Sequence, residues 1–222
     1  MLCPDRELSG NILYLCAGAN SNSPATGNRD SFVAAGLLSR ENKKSSMKKN
    51  ILLHICCGVC AGGAIEKLQN DGYCVTGFFY NPNIQPEEEH DKRLLAARQA
   101  AEFSKIEFLT GEYAPTKWLH HIQGLENEPE GGLRCEACFR FRLEESWKKA
   151  RELNFYNFTT TLTISPHKDF ELISRIGSII SAEGFIPYNF KKEDGFKKSV
   201  CFSREHSLYR QNYCGCLFSR FV

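Results

Sequence analysis

The sequence predicts an α/β fold built on a parallel sheet. Its 222 residues suffice for one domain with a real core, and a composition of 42% hydrophobic and 24% charged residues is typical of a globular protein. From residue 50 onward, short apolar runs alternate with loop and helix patterns. This repeated order of strand, loop and helix indicates parallel strands joined by right-handed crossovers.

Each element follows from a local pattern. Short apolar or β-rich runs, typical of buried parallel strands, predict strands at 51–55, 73–80, 106–109 and 155–161. Amphipathic or helix-start patterns predict helices at 64–71, 87–103, 136–153, 170–183 and 196–205. Residues 56–63 contain three glycines and are predicted to form a loop after the first strand.

The first part of the chain has a different character. Residues 18–28 are small and polar without a period, and residues 41–50 have the composition of a solvated linker. Met47 would also be a plausible protein start directly before the first strand. We therefore expect residues 1–47 to be a disordered, dispensable extension and residues 48–222 to be a single catalytic domain.

Charge and cysteine content narrow the class of protein. The formal net charge of +2 gives no global basic field, although a local basic patch is compatible with it. The start of the chain does not read as a signal peptide, and no run of 18 apolar residues occurs, so we expect a cytoplasmic protein without a membrane span. Eleven cysteines in such a location indicate metal ligands or redox thiols rather than structural disulfides.

Two cysteine pairs are placed to bind a metal. Cys56 and Cys57 follow the first predicted strand, where open parallel sheets bind their ligands, and Cys60 comes three residues later. Cys135 and Cys138 open a predicted helix, whose positive end favours thiolate. Together the two pairs supply four sulfurs, the usual number for a [4Fe–4S] cluster.

The spacing leaves other interpretations open. Structural zinc also takes four cysteines, usually from two C-x-x-C pairs, although adjacent cysteines are unusual for zinc because neighbouring side chains diverge. A thioredoxin-like C-x-x-C is a third possibility. A disulfide between Cys214 and Cys216 would close a very small, strained loop, which suits a redox pair, while the alternative is two further metal ligands.

Five segments, taken in order, identify a family. They are LHICCGVC at 53–60, FYNPNI at 79–84, RCEACFRFRLE at 134–144, FTTTLTISP at 158–166 and LYRQNYCGC at 208–216. Together they resemble the cobalamin-independent epoxyqueuosine reductases of queuosine biosynthesis, the QueH type. The resemblance covers about residues 50–219.

The resemblance implies both a fold and a cofactor. The fold is a Rossmann-like sheet of the nucleotide α-hydrolase (HUP) type, with the cysteine-rich site at the carboxyl ends of the strands. The cofactor is a [4Fe–4S] cluster on Cys56, Cys57, Cys135 and Cys138. The resemblance also allows an additional mononuclear iron, for which Cys60 is the candidate ligand.

The implied activity is the last step of queuosine formation, removal of the epoxide oxygen from epoxyqueuosine in tRNA. It needs two electrons, which the redox-active pair Cys214 and Cys216 would supply, and an electron donor that the sequence does not identify. Candidate proton donors are His54, Tyr209 and Tyr213.

The substrate base lies in a single-stranded anticodon loop, where bases stack on aromatic or arginine groups. Candidate substrate contacts are Tyr80, Asn81, Arg140, Arg142, Tyr209, Arg210 and Tyr213. Candidate contacts to phosphates are Lys191, Lys192, Lys197 and Lys198. The alternative functions are a zinc-stabilised nucleic-acid-binding module and a protein thiol oxidoreductase.

Overall fold

A computed structural model describes residues 49–219, so the extension predicted at residues 1–47 lies outside the described residues. The strands are β1 (Lys49–His54), β2 (Tyr73–Phe79), β3 (Glu107–Thr110) and β4 (Phe158–Thr160). The α-helices are α1 (Gly58–Asn70), α2 (Glu87–Phe103), α3 (Pro115–His121), α4 (Leu133–Glu152), α5 (Phe170–Ile180) and α6 (Gly195–Glu205). Short 3₁₀ turns occupy Thr161–Ile164 and Leu217–Ser219.

The four strands form one parallel sheet in the order β3-β2-β1-β4. In the centre of the sheet, Leu53 of β1 is in register with Gly77 of β2 and Thr159 of β4. The second half of β1 is fully buried, as expected for a strand covered on both faces. The α/β fold class and the parallel sheet predicted from the sequence are confirmed.

The order of the strands creates a crevice beside β1. The chain builds β1, β2 and β3 toward one edge of the sheet and then crosses over to place β4 on the other side of β1. Ligands of open α/β sheets bind outside the carboxyl ends of the strands at such a reversal. The segments that begin with Cys56, after β1, and with Thr161, after β4, meet at this point.

Helix α1 begins earlier than predicted, at Gly58, so the loop predicted at 56–63 is wrong over most of its length. The glycines serve helix packing instead of a loop. A Cβ added to Gly58 would lie 2.5 Å from the carbonyl oxygen of Ala96 in α2, and one added to Gly62 would overlap the ring of Phe202 in α6. Close approach of the helices therefore explains the glycines.

The remaining predicted elements lie within a few residues of their predicted bounds, but α3 had no counterpart in the prediction. Helix α1 packs against α2 and α6, while α4 packs against α5. Helix α4 begins before Cys135, so the C-x-x-C pair lies within its first two turns. Among residues 49–219, no helix combines the length and the apolar character that crossing a membrane requires.

Candidate functional site

The site begins at the crevice between β1 and β4. The backbone N–H of Cys56 donates a hydrogen bond to Oγ1 of Thr161 at 3.0 Å, which joins the segment after β1 to the segment after β4. The Thr161 hydroxyl lies 3.2 Å from Sγ of Cys56 and donates to it. Both residues are buried. The sulfur of Cys56 is therefore fixed at the reversal of strand order, as the sequence predicts for a ligand site.

Three thiols converge at this point. The sulfurs of Cys56, Cys57 and Cys60 all lie within 4.8 Å of one another, and all three residues are buried. Cys57 is the N-cap of α1 with an extended backbone, and Cys60 lies in the first turn, so the helix start brings its sulfur back toward the other two. This group can hold a metal ion.

The pKa values of the three thiols are shifted in different directions. Hydrogen bonds from Cys57 and Cys60 lower the pKa of Cys56 well below its usual value. Conversely, hydrogen bonding to Cys56 raises the pKa of Cys57 to about 12 and raises that of Cys60 as well. One thiolate therefore forms readily at Cys56, while further thiolates need a nearby positive charge, which a metal ion would supply.

The second cysteine pair lies at the start of α4. The backbone N–H of Gly131 donates to Sγ of Cys135 at 3.2 Å. Burial raises the pKa of Cys135, and it raises that of Cys138 to about 11. At both cysteines burial therefore opposes the thiolate form that the start of a helix favours.

Arg142 links the two pairs electrostatically. Its guanidinium acts to lower the pKa of Cys56 and opposes the rise that burial causes in the pKa of Cys138, and its Nη2 donates to Oδ1 of Asn81 at 2.5 Å. The residue is only 2% exposed, and no carboxylate among residues 49–219 forms an ion pair with it. An arginine buried in this way needs an anionic neighbour, and the sulfurs of Cys56 and Cys138 are the groups on which its charge acts.

Unpartnered buried donors test whether the cysteines suit an iron–sulfur cluster. Nε of Arg142 and Nε1 of Trp118 are buried and have no partner within normal hydrogen-bond distance among residues 49–219, and both side chains lie near enough to Cys138 to act toward a lower pKa of its thiol. Thiolates and inorganic sulfides would accept from such donors. Cys56, Cys57, Cys135 and Cys138 therefore fit an anionic cluster chemically.

The spacing within the first group also has another implication. The tight grouping of Cys56, Cys57 and Cys60 does not extend to Cys135 or Cys138. Sulfurs this close also suit a single tetrahedral ion with metal–sulfur distances of about 2.3 Å. The assignment of four cysteines to a cluster and of Cys60 to a second iron stays a prediction.

The C-terminal segment covers the cysteines. Nε2 of Gln211 lies 2.9 Å from Sγ of Cys57 and donates to it. Cys214 is half-buried and lines the main pocket, whereas Cys216 is 6% exposed and packs in the same apolar cluster as Trp118 and Cys138. Both carry free thiols, as do the five cysteines described above, whereas Cys74 and Cys201 are disulfide-bonded and do not line the pocket.

A pocket of about 1070 Å³ opens beside this segment. Its lining includes Cys56, Cys60 and Cys214 together with the cationic side chains of Lys168 and Arg210. Burial acts to lower the pKa of Lys168, but the Cys214 and Cys56 sulfurs outweigh it and raise that pKa to about 12. Lys168 is therefore protonated at neutral pH, and among residues 49–219 its ammonium has no carboxylate or hydrogen-bond partner.

The candidate substrate residues fall into two groups. Arg210 and Tyr213 line the main pocket, as does the buried Arg142. The others do not line it. Tyr80 lines a separate pocket of about 370 Å³, and Arg140 pairs with Glu136 at 3.6 Å. Asn81 donates to the Ile55 carbonyl at 2.9 Å, and the Tyr209 hydroxyl donates to Glu89 at 2.7 Å. Asn81 and Tyr209 thus support the site through protein contacts.

The three candidate proton donors are also engaged by the protein. His54 is fully buried between Thr160 and the Tyr80 carbonyl, and burial lowers its pKa to about 3. The Tyr213 hydroxyl donates to the Gln85 carbonyl at 2.7 Å, just as Tyr209 donates to a carboxylate. A neutral, enclosed imidazole cannot deliver a proton to a substrate in the pocket.

Several residues that line the pocket were not predicted from the sequence to belong to the site. They are Glu89, Arg93, Lys168 and Gln211. Glu89 and Arg93 are four residues apart on a predicted helix, which is the spacing of a surface ion pair, so the pattern gave no reason to expect them in a site. Lys168 lies two residues after the motif at 158–166, and only its proximity to that motif could have indicated it.

Comparison with known proteins identifies similar chains. The model of the family described as epoxyqueuosine reductase QueH matches residues 51–221. A relative from Streptococcus pyogenes serotype M1, named epoxyqueuosine reductase QueH, is 37% identical over 186 residues, which cover 80% of this chain and 72% of the relative. A relative of the same name from Thermotoga maritima is 35% identical over 175 residues, which cover 76% of this chain and 89% of the relative.

Proposed function

The chain belongs to the epoxyqueuosine reductase QueH family, and from that premise we propose that it removes the epoxide oxygen of epoxyqueuosine at the wobble position of tRNA. Its relatives are named as reductases, so the protein is an oxidoreductase. The observation that carries the proposal is the set of free thiols around the pocket at the reversal of strand order. Because the substrate is a tRNA, we expect the protein to act in the cytoplasm.

The proposed cofactor is a [4Fe–4S] cluster on Cys56, Cys57, Cys135 and Cys138. When bound, such a cluster would supply electrons one at a time. Support comes from Nε of Arg142 and Nε1 of Trp118, two buried donors that have no partner within normal hydrogen-bond distance in the described part of the chain and that suit anionic sulfur. Cys60 is the proposed ligand of an additional iron, since its sulfur lies in the same tight group as those of Cys56 and Cys57.

The pair Cys214 and Cys216 balances the electron count. Conversion of an epoxide to an alkene breaks two C–O bonds, consumes two electrons and two protons, and releases water. Oxidation of two thiols to one disulfide releases two electrons and two protons, so one dithiol matches one turnover. An electron donor, not identified by the sequence, must then reduce the disulfide.

Lys168 is the proposed proton donor to the leaving oxygen. Its ammonium lies in the pocket lining with no carboxylate or hydrogen-bond partner among the described residues. Lys191 holds the turn that carries Lys168, because its Nζ donates to the Lys168 carbonyl oxygen at 2.5 Å. A proton from the dithiol would replace the one that Lys168 gives away.

The pocket suits a nucleotide base that is no longer stacked on its neighbours in the RNA. A volume of about 1070 Å³ is in the range of sites that take a small molecule or a nucleoside. Arg210 and Tyr213 line it and offer the planar groups on which single-stranded bases stack. We propose that Lys192, Lys197 and Lys198 contact tRNA phosphates, whereas Lys191 is engaged in the turn of Lys168.

The decisive experiment measures iron content and conversion of epoxyqueuosine tRNA on the same anaerobically reconstituted sample. We expect about four irons per chain for a single cluster, broad absorption near 400 nm and formation of queuosine. Cys214→Ser should keep the iron and lose turnover, while the matched variant Cys138→Ser should lose iron. A colourless protein that holds only zinc would indicate a zinc-stabilised nucleic-acid-binding module, and iron without conversion would favour a protein thiol oxidoreductase.

We also propose that residues 48–222 carry the whole activity. Removal of residues 1–46 should leave both iron content and conversion unchanged, because every residue assigned above lies within 49–219. Loss of conversion by the shortened chain would refute the proposed domain division.

A further inference from the structure

One buried ion pair of α2 holds the Cys214–Cys216 segment. Glu89 and Arg93 lie one helical turn apart, are 8% and 2% exposed, and join Oε1 to Nε at 2.7 Å. Surface pairs with this spacing contribute little, but a buried pair fixes both side chains because neither charge can be left alone. The pair therefore presents its remaining donors and acceptors in fixed positions.

The guanidinium of Arg93 donates hydrogen bonds to the segment that contains the two thiols. Nη1 donates to the Cys214 carbonyl at 2.8 Å, and Nη2 donates to the Tyr213 carbonyl at 3.1 Å. The same guanidinium lies 5.0 Å from the centroid of the Tyr213 ring. One arginine thus binds two consecutive peptide units by the planar fork that lysine lacks.

Further contacts fix the segment on either side. The second oxygen of Glu89 accepts from the Tyr209 hydroxyl at 2.7 Å. The Gly215 carbonyl accepts from the backbone N–H of Gln85 at 2.8 Å. Gly215 has φ +119, and a Cβ added there would lie 2.9 Å from Nη1 of Arg93, so only glycine allows the chain to pass this close.

We propose that Arg93, held by Glu89, is a positioning residue for the redox pair. The segment from 209 to 216 has no helix or strand of its own, so its order depends on these side-chain contacts. We call the two hydrogen bonds from Arg93 to the Tyr213 and Cys214 carbonyls the clamp. The clamp directs the Cys214 thiol to the pocket, while Cys216 packs with Cys138 and Trp118. This inference rests on the proposed function, in which the two thiols supply the electrons.

The test compares Arg93→Gln with Arg98→Gln, a matched change on the same helix whose exposed guanidinium packs over Phe108. A misplaced reacting group commonly costs one to two orders of magnitude, so we expect Arg93→Gln to lower kcat about tenfold or more. Iron content should stay at its wild-type value, since Arg93 contacts none of the four proposed ligands. KM for epoxyqueuosine tRNA should rise as well, because Arg93 lines the pocket and holds Tyr213, a proposed stacking residue. Arg98→Gln should match wild type in every measurement.

A readout independent of turnover separates the clamp from the proposed function. In iron-loaded protein, the rate at which iodoacetamide alkylates Cys214, mapped by mass spectrometry, should rise about tenfold in Arg93→Gln because a released segment exposes its thiols more often. If the wild-type protein does not convert epoxyqueuosine tRNA, the proposed function is rejected, and the alkylation rates still test the clamp. If Arg93→Gln has the same alkylation rate and the same kcat as the wild-type protein, the clamp is rejected and the proposed function is unaffected.

A second variant covers the case in which Arg93→Gln does not fold. Gly215→Ala leaves the buried ion pair intact but pushes the segment away from Arg93. We expect it to lower kcat and speed Cys214 alkylation in the same way, with its iron retained. Gly215→Ala with wild-type values of both would overturn the inference.

Discussion

Replacing Arg142 with methionine should lower the reduction potential of the proposed cluster. The guanidinium is 2% exposed and pairs with no carboxylate among residues 49–219, so its charge acts on the cysteine sulfurs beside it. Reduction adds negative charge to the cluster, and a buried cation stabilises that charge. Methionine keeps an unbranched apolar side chain and removes only the charge and the donors.

The spacing along α4 sets the size of the effect. Arg142 follows Cys138 by one turn, which places the side chains of the two residues about 6 Å apart. At an effective dielectric constant of about 20, unit charges about 6 Å apart interact by about 3 kcal/mol. For a one-electron couple, about 1.4 kcal/mol corresponds to about 59 mV, so we expect a potential lower by about 120 mV.

The measurement is an anaerobic redox titration followed by absorption near 400 nm, with iron content determined on the same samples. Arg151→Met is the matched control, because Arg151 lies on the same helix about 20 Å beyond Cys138 and contacts Trp147 and Tyr156. The control should retain the wild-type potential. A shift of less than about 30 mV in Arg142→Met at full iron content would refute the reasoning, because a buried charge this close cannot act so weakly.

Three further outcomes follow from the structure. Lys168→Met should lower kcat about a hundredfold, the usual size of a general-acid contribution, with iron content unchanged, and an unaltered kcat would exclude Lys168 as the proton donor. Burial lowers the pKa of His90, so the unfolded chain takes up a proton first and stability is lost as the pH falls below about 6.5. His90→Phe should therefore flatten the dependence of urea-unfolding free energy on pH between about 7 and 5, and parallel curves would contradict this. Gly58→Ala should destabilise the protein by about 1–3 kcal/mol in the same assay, because its Cβ would meet the Ala96 carbonyl, and an unchanged midpoint would show that the helices can separate without cost.

The fold was predictable where the pattern and the packing agree. The apolar run at 51–55 is typical of a buried parallel strand, and β1 occupies 49–54. The glycines at 58, 62 and 63 led to the wrong prediction of a loop. A glycine that makes a loop flexible and a glycine that lets a neighbouring helix approach closely have the same sequence pattern. Only the positions of α2 and α6, which depend on the whole tertiary structure, distinguish the two.

The site was predictable as a set of motifs, but its electrostatics were not. The adjacency of Cys56 and Cys57 and their place after a strand sufficed to predict a cysteine centre. The burial of Arg142 was not evident, since arginine beside aromatic residues suggested contact with a base. Whether an arginine is exposed or enclosed depends on the fold around it, and here the loop after β2 encloses it through Asn81.

The partners of the pocket cations separate their roles. Arg93 is neutralised by Glu89, so it adds no net charge and can serve backbone carbonyls. Arg142 and Lys168 have no carboxylate partner among residues 49–219, so their charge is available to sulfur and to substrate. A carboxylate beside either would offset the stabilisation of thiolate or the delivery of a proton. In the proposed function, Arg142 and Lys168 therefore act on the sulfurs and on the substrate, whereas the paired Arg93 holds the segment that contains the two thiols.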